Sequence, residues 1–272
     1  MIHRVIKFLG LFYKKIYSYR VIQNTLLKNK SKVLFTSKNN IKFELFLGDM
    51  IPNYIYHFSF WEPYITNYIE SKINLLNERS FIDIGSNIGY FSLLVGIKNK
   101  DCLIYSYEPN QYLLNLFKRN ILLNDLDNII LNDCAISDST ECIKLYEGHE
   151  LNSGSTGIFD KYNLSKSFWV NSTTLRNEIA NCKFPPKLIK IDTEGSEYLI
   201  LKDFSKIISS LPDDVEFIVE INPEIIGKYK ANKIIENFRN HSFDAFELKN
   251  NYDFSFYTMN HDYSIKKFDT DI

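Results

Sequence analysis

The chain has 272 residues, of which 45% are hydrophobic and 24% charged, and its net charge is −1. This length and balance suit one large α/β domain, or one domain with an extension, with enough apolar material for a sizeable core. They exclude a disordered chain, a collagen and a coiled coil, and the near-neutral total excludes recruitment of nucleic acid by bulk charge.

Taken in chain order, residues 2–27 place Ile2, Val5, Ile6, Leu9, Phe12 and Ile16 at helical spacing with Lys and Arg between them, which predicts a basic amphipathic helix. Ten Lys or Arg precede Glu44, the first acid, so the remainder carries 22 basic against 33 acidic residues. That asymmetry points to an anionic membrane surface for residues 1–27, or to a basic face in solvent with the apolar side packed on the domain. Segments 32–36 and 41–47 read as a hairpin around Lys38-Asn39-Asn40, and 62–76 as a helix with Pro63 in its first turn. From 80 onward strands and helices alternate: strands at 80–84, 102–108, 128–133, 142–147, 187–192 and 216–221, and helices at 88–98, 111–123, near 196–203 and from Pro223 to about Asn240. Residues 148–167 read as a polar loop, and 242–249 and 254–259 as two final strands. Repeated β-α units predict a mostly parallel sheet with helices on both faces. The division expected is 1–79 for the basic helix, hairpin and entry helix, and 80–260 for the α/β domain.

The four cysteines (Cys102, Cys134, Cys142, Cys182) have no CxxC spacing, so neither a zinc site nor a disulfide framework is expected, and a reducing cytoplasmic setting fits. No apolar run reaches the roughly 18–20 residues of a membrane span. The N-terminus has no uninterrupted apolar stretch of signal-peptide type.

Three motifs carry chemistry. In Phe81-Ile82-Asp83-Ile84-Gly85-Ser86-Asn87-Ile88-Gly89 a strand enters a glycine turn that opens a helix. Gly85 permits the turn, Gly89 permits close approach, and N–H groups at a helix start suit a carboxylate. The dinucleotide fingerprint G-x-G-x-x-G needs glycine at 87, where Asn87 stands, which counts against a nicotinamide oxidoreductase. A sulfonium nucleoside has no pyrophosphate to cradle. Glu108, in Tyr107-Glu108-Pro109-Asn110, lies 19 residues after Gly89, near the offset of an acid that grips ribose hydroxyls. Third, Asp192, Glu194 and Glu197 crowd the end of the strand Lys187–Asp192, the edge where open α/β sheets bind ligands. A capped helix start accounts for Glu197, but not for Asp192 at the end of a buried apolar strand.

DIGSNIGYFS (83–92), YEPN (107–110), LNDCAISD (131–138), VEINPE (219–224) and above all LIKIDTEGSE (188–197) resemble the FkbM family of S-adenosylmethionine-dependent methyltransferases, and Trp61-Glu62-Pro63 resembles that family's entry segment. The resemblance covers roughly 45–250 and departs at Thr174-Leu175-Arg176, where the family has Leu followed by Asp. It implies a Rossmann-like class I methyltransferase fold, with a mostly parallel seven-stranded sheet, that acts on a sugar hydroxyl in a cell-surface glycan or glycolipid. Asp83, Gly85, Ser86, Asn87 and Gly89 would line the methionine part of the cofactor, and Glu108 would hold the ribose. Asp133, Cys134 and Ala135 would flank the adenine, and Asp192 would sit near the sulfonium and acceptor.

A neutral hydroxyl must lose its proton during attack, and Asp192 is the leading base, with His149 in the polar loop and His57 among aromatics as rivals. Mg²⁺ held by Asp192, Glu220 and Asn222 is the less favoured variant, and no metal is assigned. The alternatives are a methyltransferase of a non-sugar small molecule or natural product, and a non-catalytic glycan-assembly protein. A nucleic-acid methyltransferase lacks both the charge and an Asn/Asp-Pro-Pro-aromatic motif.

Overall fold

The computed structural model describes residues 31–149, 152–160, 166–252, 256–257 and 262–268. The basic helix expected at 2–27 lies outside the described residues. The chain enters through an antiparallel hairpin, β1 (Lys32–Thr36) and β2 (Lys42–Phe46), with Lys32 opposite Phe46. Phe43 and Leu45 of β2 are fully buried. Next comes α1 (Met50–Phe58), which the sequence reading left without an element. Its aromatic and β-branched residues favour strands locally. Tyr54, Ile55 and Phe58 nevertheless fall on one helical face that the core covers, and Ser59 ends the helix in a left-handed conformation. Helix α2 (Pro63–Lys72) follows with Pro63 in its first turn, and a short 3-10 turn over Ile73–Leu75 completes the expected 62–76 segment.

The α/β part consists of β3 (Ser80–Ile84), α3 (Tyr90–Lys98), β4 (Leu103–Tyr107), α4 (Gln111–Leu123) and β5 (Ile129–Asn132). After β6 (Ala135–Ser137), β7 (Cys142–Tyr146), β8 (Ser167–Thr174) and α5 (Leu175–Asn181) come β9 (Pro186–Ile191), α6 (Glu197–Ile200), α7 (Phe204–Ile208) and β10 (Glu216–Val219). Helices α8 (Pro223–Ile226) and α9 (Lys228–Asn240) precede a short pair, β11 (Phe246–Glu247) with β12 (Lys266–Lys267).

Five strands form the parallel sheet in the order β10-β9-β3-β4-β5. Alternation sends Phe81 and Leu188 into one core, with the hairpin and α1–α4, while Ile82 and Ile189 enter the other, with α5–α7 and α9. The hairpin and α1 thus share a core with the sheet. The chain runs outward from β3 to β5 and returns to β9 on the other side of β3, making the β3/β9 boundary the switch point where such sheets bind ligands.

Among the described residues the sheet has five strands where seven were expected. Phe246–Glu247 is an exposed pair, and the described residues of 254–259 form no strand. Tyr252 instead stacks on Trp61 at 5.3 Å and Tyr257 meets Tyr54 at 4.7 Å, so aromatic packing on α1 and the approach to α2 takes up this part of the chain. The sequence reading also missed β6, β8 and α5. Strands β6, β8 and β7 form a separate sheet around a small core of Ala135, Leu145 and Val170, and alternation over segments that short is a weak signal. At the family departure, Thr174 caps α5 by accepting the Asn177 N–H at 3.2 Å.

Asn120 of α4 joins the entry hairpin to the sheet. Wholly buried, it accepts the Glu44 N–H at 2.7 Å and donates to the Ile88 carbonyl at 3.2 Å. Asn120→Leu leaves both backbone groups unpaired and should destabilise the fold by about 2–6 kcal/mol in urea unfolding, from a penalty of roughly 1–3 kcal/mol per buried orphan group.

Candidate active site

The turn after β3 is held by its neighbours. Gly85 (φ +77°) lies so close to β9 that a Cβ there would stand 1.8 Å from the Asp192 carbonyl oxygen. The Gly85 and Ser86 N–H groups both donate to the Tyr107 carbonyl, at 3.0 and 3.1 Å. Asn87 is left-handed (φ 55°) and turns its N–H to Glu108 Oε2 at 2.9 Å. Gly89 (φ +88°) serves packing, because a Cβ there would fall 2.0 Å from the Phe117 ring. Asp83 is fully buried within β3 and accepts from Ser92 Oγ at 2.6 Å, while its Oδ1 has no hydrogen-bond partner among the described residues. Burial raises its pKa, and the Lys190 ammonium opposes the rise.

A cavity of about 260 Å³ opens at the C-terminal edge of the sheet. Gly85, Ser86, Asn87, Glu108, Cys134, Ala135 and Asp192 line it. Of the other residues expected from sequence, Asp83 and Gly89 lie behind the lining, and Asp133 and His149 are exposed outside it. His57 is buried on α1, also away from the cavity. The loop carrying His149 contributes Asn152, Ser153, Gly154, Thr156 and Gly157 instead, and the Ser153 hydroxyl anchors it to Asp49 just before α1.

Glu108 accepts the Asn87 N–H on one oxygen and the Asn110 N–H, at 2.9 Å, on the other. Each oxygen keeps a free lone pair, the capacity needed to accept from two vicinal hydroxyls. Burial pushes its pKa up to about 7 although these two N–H groups favour the anion.

Lys190, 2% exposed, is a residue that sequence reasoning missed. Its Nζ lies 2.8 Å from Asp192 Oδ2 and 5.1 Å from the Phe91 ring centre. Burial would strip its charge, but the carboxylates of Asp192, Asp83 and Glu62 outweigh burial and hold the ammonium. Glu220 hydrogen-bonds to Asp192, and that neighbouring charge, then burial, keeps Glu220 protonated. Glu62 is raised to about 7 by burial and then by Asp192. Its Oε1 accepts from Asn250 at 2.8 Å and from the Tyr252 hydroxyl at 2.9 Å. Two Lys, Lys187 and Lys190, interrupt the apolar run Pro186–Ile191, a legible signal for Lys190, whereas Tyr252 carries none. Glu197 is structural: one carboxylate gathers the Thr193 and Gly195 N–H groups and the Thr193 hydroxyl.

The family model described as Methyltransferase FkbM domain matches residues 83–252. Among solved structures, precorrin-6y C5,15-methyltransferase from Geobacter metallireducens is similar, at 12% identity and TM-score 0.42, over 67% of this chain and 75% of that one. M. jannaschii TYW2 in complex with AdoMet is similar at 14% identity and TM-score 0.38, over 76% of this chain and 74% of that one. Both TM-scores fall below 0.5, so the family match carries the assignment. No curated protein matches the chain.

Glu108 should show opposite effects on stability and binding. In the unfolded chain its carboxyl ionises near 4.5, but in the fold only near 7, so between these values the native state holds the extra proton. Its contribution therefore favours the fold at low pH and is lost as pH rises through about 7. Glu108→Gln removes this titration, so its ligand-free stability relative to the unaltered chain should rise by about 1–3 kcal/mol between pH 4 and pH 8 in urea unfolding. The same variant should weaken S-adenosylhomocysteine by roughly 1–3 kcal/mol in calorimetry.

Proposed function

The chain belongs to the FkbM methyltransferase family, and from that premise we propose that it methylates a hydroxyl oxygen of a sugar in a cell-surface glycan or glycolipid. It is an S-adenosylmethionine-dependent methyltransferase. The observation that carries the acceptor reading is that Asp192, with Lys190 and Glu220 attached, lines the same cavity as the diol-accepting Glu108.

The donor set fits the cofactor. Glu108 has lone pairs for the ribose, the Gly85–Asn87 turn lies beside it, and Leu113, Cys134, Ala135 and Ile136 offer an apolar wall to the adenine. Asp133, exposed at the end of β5, stands next to that wall. When bound, S-adenosylmethionine supplies a methyl group activated by its sulfonium. The protein's part is to hold the acceptor oxygen in line and to take its proton. A hydroxyl proton becomes strongly acidic as its oxygen bonds to carbon, so a carboxylate is basic enough to receive it. In this reading Asp192 receives the proton. Lys190 fixes one of its oxygens, and protonated Glu220 hydrogen-bonds to it, which leaves Asp192 as the anionic member of the pair. His149, exposed outside the cavity, is the secondary choice. The Lys190 ammonium already supplies the positive charge at Asp192, which supports a reaction without Mg²⁺ at Asp192, Glu220 and Asn222.

The charge distribution supports a peripheral place at the inner membrane face. No helix among the described residues is long and apolar enough to cross a membrane. Residues 1–27 lie outside the described residues, but their basic sequence suits an anionic lipid surface, where each Lys or Arg contributes about 1 kcal/mol. The full chain should sediment with anionic vesicles at low salt and be released at high salt. A chain lacking 1–27 that sediments equally well would remove that role.

Asp192→Asn should keep the fold and most cofactor affinity while turnover of a hydroxyl acceptor falls about 10²–10⁴-fold, the usual contribution of a positioned base. Turnover should be unchanged by EDTA. Near-normal turnover in Asp192→Asn would pass the proton to another group.

A further inference from the structure

We propose that Glu62 is the acceptor-reading carboxyl, binding a hydroxyl next to the reacting one, so that the acceptor is a neutral ring with vicinal hydroxyls. This rests on the methyl-transfer reading above and narrows its substrate class. Glu62 precedes the family-matched segment, in the turn that opens α2, and projects into the same cavity lining as Asp192, Glu220 and Tyr252. Its backbone is left-handed (φ 41°) without being glycine, a conformation kept only where surrounding structure enforces it. Here the enforcing contacts are the Tyr257 hydroxyl, which takes the Glu62 N–H at 3.2 Å, and the stacked Trp61 and Tyr252 rings beside it.

Glu62 is 3% exposed, and its protein donors, Asn250 and Tyr252, both go to Oε1. Oε2 has no hydrogen-bond partner among the described residues. A buried carboxylate oxygen left without a partner costs free energy unless a ligand supplies the donor. A ring hydroxyl supplies one, and the Trp61 and Tyr252 side chains on the lining offer the ring an apolar face.

The charged groups of the lining count against an anionic acceptor. Glu62, Glu108, Asp192, Glu194 and Glu220 line the cavity, and Lys190 is the cation among the lining residues. Its ammonium is already bonded to Asp192, so an acceptor carboxylate or phosphate beside Glu62 would meet carboxyls with no lysine or arginine of the lining to spare.

The test uses the full chain saturated with S-adenosylhomocysteine and saturation-transfer NMR. The probes are methyl glycosides of glucose, galactose and mannose, with methyl β-D-glucuronide as the anionic counterpart. At least one neutral glycoside should bind tenfold or more tightly than the glucuronide. Glu62→Met should weaken that glycoside at least tenfold with S-adenosylhomocysteine affinity unchanged within twofold. Glu62→Gln keeps an acceptor for Asn250 and Tyr252, which guards against misfolding, and should weaken the glycoside at least threefold. Equal or tighter binding of the glucuronide, unchanged glycoside binding in both variants, or no binding of any neutral glycoside overturns the proposal. Radiolabelled methyl transfer separates the two readings. Transfer to the glucuronide would sink this inference and leave sugar methylation standing, whereas transfer to non-sugar alcohols with no glycoside methylated would sink sugar methylation itself.

Discussion

The pairing of β3 with β9 sets Asp83 directly opposite Lys190 on one face of the sheet, and the site depends on that register. A slip of one residue would turn Lys190 into the opposite core, among Ile82, Ile189 and Ile191, where no carboxylate waits. In register, the buried ammonium faces Asp83 beside it, Asp192 two residues along its own strand, and Glu62 from the turn before α2. Such a group is tolerable only while carboxylates surround it, and three of them share that task here. The same closeness of the two strands accounts for Gly85, since no side chain fits against the Asp192 carbonyl.

Around this centre the carboxyls divide their work by environment. Asp192 is partly exposed and held by Lys190, which suits it to meet an acceptor. Glu220, pressed against Asp192, retains its proton. Glu108 is remote enough to answer mainly to burial and to two backbone donors. Carboxyls of one chemical type therefore take different protonation states within one cavity, the condition under which neighbouring acids perform different tasks.

The cavity wall also holds left-handed backbone. Glu62, Asn87 and Glu194 all line it in left-handed conformations without being glycine. Each is over-determined by neighbours: Glu62 by Tyr257, Asn87 by Glu108, and Glu194 by the turn that Glu197 gathers. Backbone strain stored at three points of one wall belongs with ligand recognition more than with fold stability.

The sequence by itself determined the α/β architecture, the β3 turn and the positions of Glu108 and Asp192 in chain order. Those features are local: apolar strands bounded by turns, glycines where φ is positive, and acids at strand ends. It also marked the Trp61-Glu62-Pro63 segment without giving Glu62 a task. Only the tertiary structure decided the rest. Helix α1 forms against local strand preference because packing covers its aromatic face. The chain after β11 packs its tyrosines on Trp61 and Tyr54 where further strands were expected. Gly89 belongs to Phe117, and His149 lies outside the cavity that its own loop helps to close. Lys190, Glu62 and Tyr252 meet from β9, α2's opening turn and the C-terminal region, separations that no local pattern encodes, because the contacts exist only once strand register and helix packing have brought those segments together.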